Sequence, residues 1–334
     1  MKKTIFTAFA LGAMVLAGCT KVETVDVPES RAIAFDNFVT NSVKSLNEEG
    51  VDFTAFFVYG GPTTKPNLFN GREVNYETIN GTPGWYYDET EYWDGTNKYD
   101  FAAYSYENST VEGVTFVNKH LSIPLTNVDG TKDLIYTYES NITSGGDEGK
   151  VSFDFHHILS RVAFKFTKDA TLDGTDITIS NLQITSISNS GTFTGAELTN
   201  GQYPHSCWDH QAGNAPQEFE NSTSMVLTDD ALELTTDYEY LIPQPAGTNV
   251  LEVTFTLTPS GKIVTDYGKS AIECKVNLPA TTNNQWNPGY TYVYTATVLP
   301  SNFELEPIVF DVNEIKNWDA GDSNGDFEIE VDNN

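Results

Sequence analysis

The chain has 334 residues, of which 18 are Lys or Arg and 47 are Asp or Glu, so its formal net charge is −29. A surface this acidic repels the phosphate backbone, which excludes nucleic-acid binding as the main function. The length exceeds what one hydrophobic core usually serves, and we therefore expect two domains.

The N-terminal residues read as an export signal. Lys2 and Lys3 precede an apolar run from Ile5 to Val15, and Leu16-Ala-Gly-Cys19 follows. This order is typical of a secretory signal, and a cysteine after Leu-Ala-Gly matches the bacterial lipoprotein signal. The sequence predicts that residues 1–18 are removed, that Cys19 is lipidated and that residues 19–30 form a tether. The alternative is an ordinary signal peptide with a chance cysteine.

Short segments rich in β-branched and aromatic residues follow the tether, and Gly, Pro, Asn or Asp bounds each of them. Such segments are typical of β-strands. A polar loop, Thr40–Gly50, separates the first two. The predicted strands of the first half are Ala32–Val39, Phe53–Tyr59, Arg72–Tyr76, Gly84–Tyr87, Tyr99–Tyr106, Val114–Phe116, Leu121–Pro124 and Leu134–Tyr138.

The apolar alternation changes phase near the middle of the chain. Val151, Phe153 and Phe155 occupy odd positions, whereas the apolar side of Val162–Phe166 occupies even positions. One continuous strand would bury its two halves on opposite faces. The sequence therefore predicts that His156–Ser160 passes the chain from one sheet to another, or from one domain to the next.

The second half repeats the same pattern of short strands, and one stretch, Thr192–His210, has little sign of regular structure. No segment of a dozen residues has a 3.6-residue period, so we predict an all-β fold with domains at residues 31–156 and 157–334. The predicted strands are Asp176–Ser180, Gln183–Ser188, Met225–Leu227, Tyr238–Pro243, Val250–Thr258, Tyr290–Val298 and Ile308–Val312.

No group of residues stands out as catalytic, and the sequence predicts neither an enzyme nor a cofactor. His205, Cys207, Asp209 and His210 lie close together, but their spacing matches no zinc pattern. His156 and His157 have no nucleophile beside them, so we expect hydrogen-bonded packing residues.

Two features of the sequence each allow two interpretations. Cys207 and Cys274 could pair in an oxidising compartment or remain free thiols. The aromatic cluster around Trp85 and Trp93 has two interpretations, which are packing of the first domain and flat surfaces that bind sugar rings. Large aromatic side chains more often fill space, which favours packing.

The ordered set of aromatic and hydrophobic motifs resembles the fimbrillin family of Bacteroidales lipoproteins, the subunits of type V pili. The resemblance covers nearly the whole chain after the signal. Its motifs are the Leu-Ala-Gly-Cys19 signal, Phe56-Phe-Val-Tyr-Gly60, Leu68-Phe-Asn-Gly, Trp85-Tyr-Tyr, Tyr92-Trp93, Tyr99-Asp-Phe-Ala-Ala-Tyr104, Asp133-Leu-Ile-Tyr136, Phe155-His-His-Ile-Leu-Ser-Arg-Val-Ala-Phe164, Leu241-Ile-Pro-Gln244, Trp286-Asn-Pro-Gly-Tyr-Thr-Tyr292 and Trp318.

The resemblance implies two tandem transthyretin-like Greek-key β-sandwich domains and a surface-exposed outer-membrane lipoprotein that becomes part of a fimbrium. It implies a structural or adhesive subunit that joins other pilus subunits by strand exchange after a protease removes the first strand. Partners would be those subunits, the outer membrane through the lipid, and host or bacterial surface ligands. The alternative from a different class is a surface lipoprotein that binds glycans through Trp85 and Trp93.

Carried over to this chain, the resemblance assigns the removable strand to Ala32–Val39, with Ile33 and Phe35 filling the groove. The family's cleavage site usually has an arginine after that strand, whereas Thr40–Gly50 offers only Lys44. Arg31 precedes the strand, so cleavage there would leave the strand in place. This departure leaves two possibilities, a protease that accepts lysine or a subunit that is not processed.

A second alternating segment lies near the end of the printed sequence. Phe327, Ile329 and Val331 alternate with Glu328 and Glu330. Together with the resemblance, this pattern favours a donor strand over residues 327–331. The alternative is a local edge strand of the second domain, which the two glutamates protect from aggregation.

Overall fold

The computed structural model describes residues 31–39, 53–95, 97–144, 149–195, 198, 203–210, 214–219, 225–227, 236–244, 251–261, 268–281, 284–304 and 306–316. In these ranges the chain is built from β-strands and has no α-helix, which confirms the predicted all-β class. Short 3₁₀ helices that lie wholly within these ranges are found at Ala170–Leu172, His205–Cys207 and Pro300–Phe303. No helix in these ranges is long and apolar enough to cross a membrane.

The strands are numbered in chain order. They are β1 (Ala34–Val39), β2 (Ala55–Pro62), β3 (Phe69–Ile79), β4 (Thr82–Tyr86), β5 (Tyr99–Tyr106), β6 (Thr115–Val117), β7 (His120–Leu125), β8 (Leu134–Ile142), β9 (Lys150–His157), β10 (Ser160–Lys168), β11 (Ile177–Ser188), β12 (Gly191–Thr194), β13 (Trp208–His210), β14 (Asn214–Glu218), β15 (Met225–Leu227), β16 (Glu239–Leu241), β17 (Glu252–Pro259), β18 (Ile272–Asn277), β19 (Tyr290–Val298) and β20 (Phe310–Lys316).

The first half of the chain forms a seven-stranded sheet in the order β1-β9-β8-β5-β2-β3-β4. Its two end strands, β1 and β4, contact each other, so the sheet curls round an interior. Strand β2 is buried along its whole length, because its even positions face that interior and its odd positions face a second core outside. This explains why Phe56-Phe-Val-Tyr59 is apolar on both faces.

The inner core is the set of buried side chains inside the curled sheet. Aromatic rings dominate it. Its members are Ile33, Phe35, Phe53, Phe56, Val58, Phe69, Val74, Trp85, Trp93, Tyr99, Phe101, Ala103, Ile135, Val151, Phe153 and Phe155.

The outer core lies between the seven-stranded sheet and a small sheet in the order β13-β12-β7-β6. Two strands of that small sheet come from Thr192–His210 and its border, where the sequence predicts little regular structure. That expectation is wrong at both ends of the stretch. Residues 191–194 pair with β7 and residues 208–210 pair with β12, so Phe193 and Trp208 pack on strands of the first half. The division into domains at residue 156 remains a prediction.

The second half of the chain encloses a third core between two sheets. One sheet has the order β16-β10-β19-β20, and the other has the order β14-β11-β17-β18, with β15 also paired to β11. The predicted strands Asp176–Ser180 and Gln183–Ser188 are one strand, β11, with a register shift between Ser180 and Gln183. Strands β14 and β18 are absent from the sequence prediction.

The predicted change of sheet at the middle of the chain is confirmed, since β9 and β10 belong to different sheets. Ile158 and Leu159 between them are fully buried. The Ile158 carbonyl accepts a hydrogen bond from the Trp208 indole at 2.8 Å, and the Leu159 carbonyl accepts one from the Gly289 amide at 2.8 Å. The joint is thus held by packing and by backbone hydrogen bonds.

The contact between β8 and the small sheet depends on a residue without a side chain. A Cβ added to Gly195 would lie 2.1 Å from the hydroxyl oxygen of Tyr136, whose ring is buried. We expect Gly195→Ala to lower the free energy of unfolding by about 1–3 kcal/mol, because the ring cannot move without disturbing the outer core. Urea denaturation measures this change.

Gly84→Ala is the matched control for that substitution. A Cβ at Gly84 would have its nearest neighbour at 3.4 Å, in the ring of Tyr86. We expect a change below about 0.5 kcal/mol. Equal effects of the two substitutions would contradict the close approach of Tyr136.

Candidate functional site

Strand β1 runs parallel to β9 at one end of the seven-stranded sheet. Residues 35, 37 and 39 lie opposite Val151, Phe153 and Phe155. On its other side, in the described strands, β9 pairs with β8 through two residue pairs at its C-terminal end, Ile135 with His157 and Tyr136 with His156. The N-terminal part of β9 therefore has β1 as its ladder partner.

Two side chains of the first strand region enter the inner core. Ile33 is 1% exposed and Phe35 is 4% exposed. The Phe35 ring lies 5.3–6.3 Å, centroid to centroid, from five other rings, mostly in edge-to-face geometry, which is favourable for aromatic pairs. We call this arrangement the Phe35 pocket. Its rings belong to Phe56, Phe69, Tyr87, Phe101 and Phe153.

The N-terminal end of this region is fixed to the segment after β4. The Ile33 amide donates to the Glu91 carbonyl at 2.8 Å, and the Trp93 amide donates to the Arg31 carbonyl at 2.9 Å. The Tyr87 hydroxyl donates to the Ile33 carbonyl at 2.7 Å and accepts from the Glu91 amide at 3.2 Å. Burial raises the pKa of Tyr87, so the hydroxyl keeps its proton as a donor at neutral pH.

The outward face of β1 carries one ion pair. The Asp36 carboxylate lies 4.0 Å from the Lys150 ammonium, and both side chains are about half exposed. An exposed pair of this kind stabilises by at most about 1 kcal/mol. The pair identifies position 36 as the acidic position of β1 that lies beside Lys150.

These contacts define what the arrangement can do. Because β1 is at the end of the sheet order, its departure interrupts no other pair of strands. It would leave the main chain of Lys150–Phe155 without its ladder partner and the Phe35 pocket empty. An exposed strand edge beside an apolar groove is a site for an incoming strand.

The structure places the other predicted site residues as follows. Arg31 is exposed and directly precedes the strand region, as the sequence predicts. Cys19, Lys44 and the donor segment Phe327, Ile329 and Val331 lie outside the described residues.

Trp85 and Trp93 are not surface platforms for sugars. Trp85 is 9% exposed and packs against Phe53, Phe56 and Tyr76, while Trp93 is 3% exposed and donates its indole N–H to the Gly149 carbonyl at 2.9 Å. Both rings belong to the inner core. The packing interpretation describes them correctly, and the glycan-contact interpretation of these two residues is wrong in this structure.

The histidines considered for chemistry have structural contacts. His205 and His210 stack on each other, and their Nε2 atoms lie 3.0 and 2.5 Å from the backbone carbonyls of Gln244 and Pro243. His157 Nδ1 lies 2.5 Å from an Asp133 carboxylate oxygen. Across the described ranges, no three His, Cys, Asp or Glu residues are grouped to hold a metal ion.

The two cysteines do not form the disulfide that the sequence left open. Cys207 lies in the outer core and Cys274 packs against the third core. Burial raises the pKa of each thiol to about 11, so both are protonated at neutral pH.

Several residues around β1 are missed by the sequence reasoning. Lys150 and Tyr87 contact β1 from positions far away in the chain, and no local pattern identifies Lys150 as its neighbour. The signal that could have found Tyr87 is the apolar stretch Trp85-Tyr-Tyr87, in which one hydroxyl must find a hydrogen-bond partner once buried.

Comparison with known proteins adds the following. The sequence model of a family described as fimbrillin-like matches residues 40–318. No curated protein shows significant similarity to the chain.

Two solved structures share the fold. A fimbrial protein from Bacteroides vulgatus is 18% identical with a TM-score of 0.56, and the match covers 86% of this chain and 99% of that one. A candidate cell adhesion protein from Bacteroides uniformis is 16% identical with a TM-score of 0.52, covering 85% and 97%. At this identity the similarity concerns the fold.

We expect Tyr87→Phe to loosen the first strand region. The substitution leaves the Ile33 carbonyl and the Glu91 amide without the hydroxyl, which lowers the free energy of unfolding by about 1–2 kcal/mol. Hydrogen exchange at the amides of residues 33–35 becomes faster. Urea denaturation and exchange measured by mass spectrometry test both effects.

Tyr86→Phe is the control for this change. The Tyr86 hydroxyl donates to the Thr82 carbonyl in the same strand at 3.1 Å. Its loss costs below about 0.5 kcal/mol and leaves exchange at residues 33–35 unchanged. If both variants behaved alike, Tyr87 would not hold β1.

We expect acid to destabilise the fold through His156 on β9. Burial, with His157 nearby, lowers the pKa of His156 to about 4 from 6.5. The unfolded chain therefore takes up the proton first, and stability falls as the pH drops from about 6.5 to about 4. At pH 4.5 this contribution amounts to about 2 kcal/mol.

His156→Gln removes this part of the pH dependence. The difference in unfolding free energy between pH 7 and pH 4.5 becomes smaller by about 2 kcal/mol in the variant than in the wild type. Urea denaturation at the two pH values gives the comparison. An unchanged difference would mean that the buried imidazole is not the group that titrates.

Proposed function

The chain belongs to the fimbrillin-like family, and from this premise we propose that it is a fimbrial subunit whose first strand is removed by a protease and replaced by a strand of a neighbouring subunit. The family places the protein in a cell-surface fimbrium, in assembly with other pilus subunits. It is a family of structural proteins, so the chain is not an enzyme.

The observation that carries the proposal is the position of β1. It supplies Phe35 to the inner core and is the ladder partner of β9, yet it lies at the end of the sheet order. Removing it exposes an apolar groove and leaves the order β9-β8-β5-β2-β3-β4 connected. Main-chain pairing with a new strand would restore the ladder, and alternate side chains would refill the groove.

The backbone contacts support a cut after Lys44 rather than after Arg31. The Arg31 carbonyl and the Ile33 amide are both engaged in hydrogen bonds with residues 91–93, which protects the bond after Arg31 from a protease that needs an extended, free backbone. A cut there would also leave β1 in place. Lys44 follows β1 in the sequence, so cleavage after Lys44 would separate β1 from the rest of the chain.

The donor in this proposal is the segment Phe327–Val331 of another subunit. It alternates apolar and acidic residues, as a strand with one buried face requires. Ten residues, 317–326, connect it to the end of β20 and include Gly321 and Gly325.

The proposal includes export as a lipoprotein. Cys19 would carry the lipid that holds the precursor at the outer membrane, since each buried methylene of an acyl chain contributes about 0.8 kcal/mol to membrane binding. Cleavage after Lys44 would then release the subunit from its anchor and open the groove in a single step. We extend the proposal to two sandwich domains that meet at the buried joint Ile158–Leu159.

Limited digestion with a protease specific for Lys and Arg tests the proposal. We expect the wild-type protein to acquire a new N-terminus at Ser45 and to form a ladder of oligomers. Lys44→Gln stays monomeric under the same digestion, because β1 remains attached. N-terminal mass spectrometry and native electrophoresis give the two readouts.

Arg31→Gln serves as the matched control, since it removes the other candidate basic residue and leaves cleavage after Lys44 possible. We expect it to form oligomers as the wild type does. A wild-type chain that is cut after Lys44, loses β1 and remains monomeric at high concentration would contradict strand exchange.

A further inference from the structure

We propose that the donor segment of a second copy of this chain enters the groove in one fixed register, parallel to β9, with Phe327 in the place of Phe35, Ile329 in the place of Asn37 and Val331 in the place of Val39. This inference rests on the proposed strand exchange and adds the partner and the register. Three features select this register, which are the shape of the Phe35 pocket, the pairing of β1 with β9 and one charged contact with Lys150.

The Phe35 pocket requires an aromatic ring. Five rings surround the position at centroid distances of 5.3–6.3 Å, and the residue that fills it is 4% exposed. Replacing a buried phenyl ring by a much smaller side chain leaves a cavity and costs about 3–5 kcal/mol. Phe327 is the one aromatic residue of the donor segment, so the pocket selects Phe327.

The pairing of β1 with β9 then fixes the other positions. In the native register, residues 35, 37 and 39 lie opposite the buried residues Val151, Phe153 and Phe155. With Phe327 at position 35, the alternation places Ile329 and Val331 opposite Phe153 and Phe155. A shift by one residue would turn Glu328 and Glu330 toward the inner core, which is far costlier.

Shifts by two residues fail for a different reason. Moving the segment in one direction places Ile329 in the Phe35 pocket and forces Phe327 into the place of Ile33, which Tyr87 and Glu91 border. Moving it in the other direction places Gly325 in the pocket and leaves the five rings without a partner. The proposed register also leaves volume in the core, at the place of Ile33, where Gly325 would lie. Among the three registers, however, it alone gives the five rings an aromatic partner.

The outward face carries one charged contact that favours this register and one that opposes it, since Glu330 would lie opposite Asp154. Asp36 lies 4.0 Å from the Lys150 ammonium, and Glu328 takes the Asp36 position when Phe327 takes that of Phe35. The segments Phe35-Asp-Asn-Phe-Val39 and Phe327-Glu-Ile-Glu-Val331 thus share an aromatic residue, an acidic residue and a valine at matching places. The C-terminal segment thus repeats the aromatic ring of the Phe35 pocket and the acid beside Lys150.

Disulfide crosslinking between subunits tests the register. Residues directly opposite each other on neighbouring strands have Cα atoms about 5 Å apart, within the range that a disulfide needs. Ser152 lies opposite position 36 and Asp154 opposite position 38, and both are on the outward face of β9. The register therefore pairs Ser152 with Glu328 and Asp154 with Glu330.

Two double variants of the full chain carry the matched pairs, Ser152→Cys with Glu328→Cys and Asp154→Cys with Glu330→Cys. Ser152→Cys with Glu330→Cys is the mismatched control. Each protein is digested at Lys44, which separates Cys19 from the rest of the chain, and is oxidised mildly at pH 8. Cys207 and Cys274 react slowly there, because burial raises the pKa of each thiol to about 11.

We expect both matched pairs to give crosslinked dimers and higher oligomers on non-reducing gels, at about ten times the yield of the mismatched pair. Undigested protein gives none. Thermal unfolding of each undigested variant verifies that the substitutions leave the fold intact.

Several results would overturn the register while strand exchange itself stands. Crosslinking of the mismatched pair would place the segment two residues away. The segment would run antiparallel to β9 if crosslinks formed in two variants, Ser152→Cys with Glu328→Cys and Asp154→Cys with Asp326→Cys. Oligomers in which no pair crosslinks would mean that another segment is the donor. A disulfide within a monomer would mean that the donor segment fills the groove of its own chain. If digested wild-type protein forms no oligomers, the proposed function fails and the register fails with it.

Discussion

The packing of Phe35 against five aromatic rings is the interaction on which the first half of the molecule depends. The seven-stranded sheet curls until its end strands meet, and this curvature leaves an interior that only a strand between β9 and the segment after β4 can close. Phe35 fills the centre of that interior, and Ile33 continues the contact at 1% exposure. The sheet supplies the rings, while the first strand supplies the side chain that holds them in place.

The second face of the same sheet is used differently. Residues 191–194 and 208–210 return to it from beyond β11, and Trp208 donates its indole N–H to the buried joint at Ile158. The joint therefore shares a core with the outer face of the seven-stranded sheet. Strand β1 packs in the inner core, on the opposite face of the sheet, so the proposed loss of β1 would leave the contacts of the joint in place.

Sequence reasoning reaches the all-β fold, most strands and the change of sheet, because each follows from alternation within a few neighbouring residues. The odd positions of Val151–Phe155 and the even positions of Val162–Phe166 suffice for the last of these. It misses β12 and β13, which have four and three residues and owe their conformation to partners elsewhere in the chain.

The same limit applies to the candidate site. Ile33 and Phe35 are recognisable as one apolar side of a strand, but the rings around Phe35 come from separate strands and loops. Their meeting depends on how the sheet curls, which no local pattern encodes. Trp85 and Trp93 show the converse, since residue type alone allows both a surface and a core position. The structure places both rings in the inner core, where Trp93 also donates a hydrogen bond to the Gly149 carbonyl.

The parallel pairing of β1 with β9 has a consequence for the order of folding. Parallel neighbours cannot be joined by a hairpin, and Phe35 lies opposite Val151, with nearly all strands of the sheet between them in sequence. Contacts between residues so distant in the chain close a long loop and form late. Strand β1 thus precedes the other strands of its sheet in the chain but is the last to gain its partner, β9. The other strands assemble first, around the vacant position of β1.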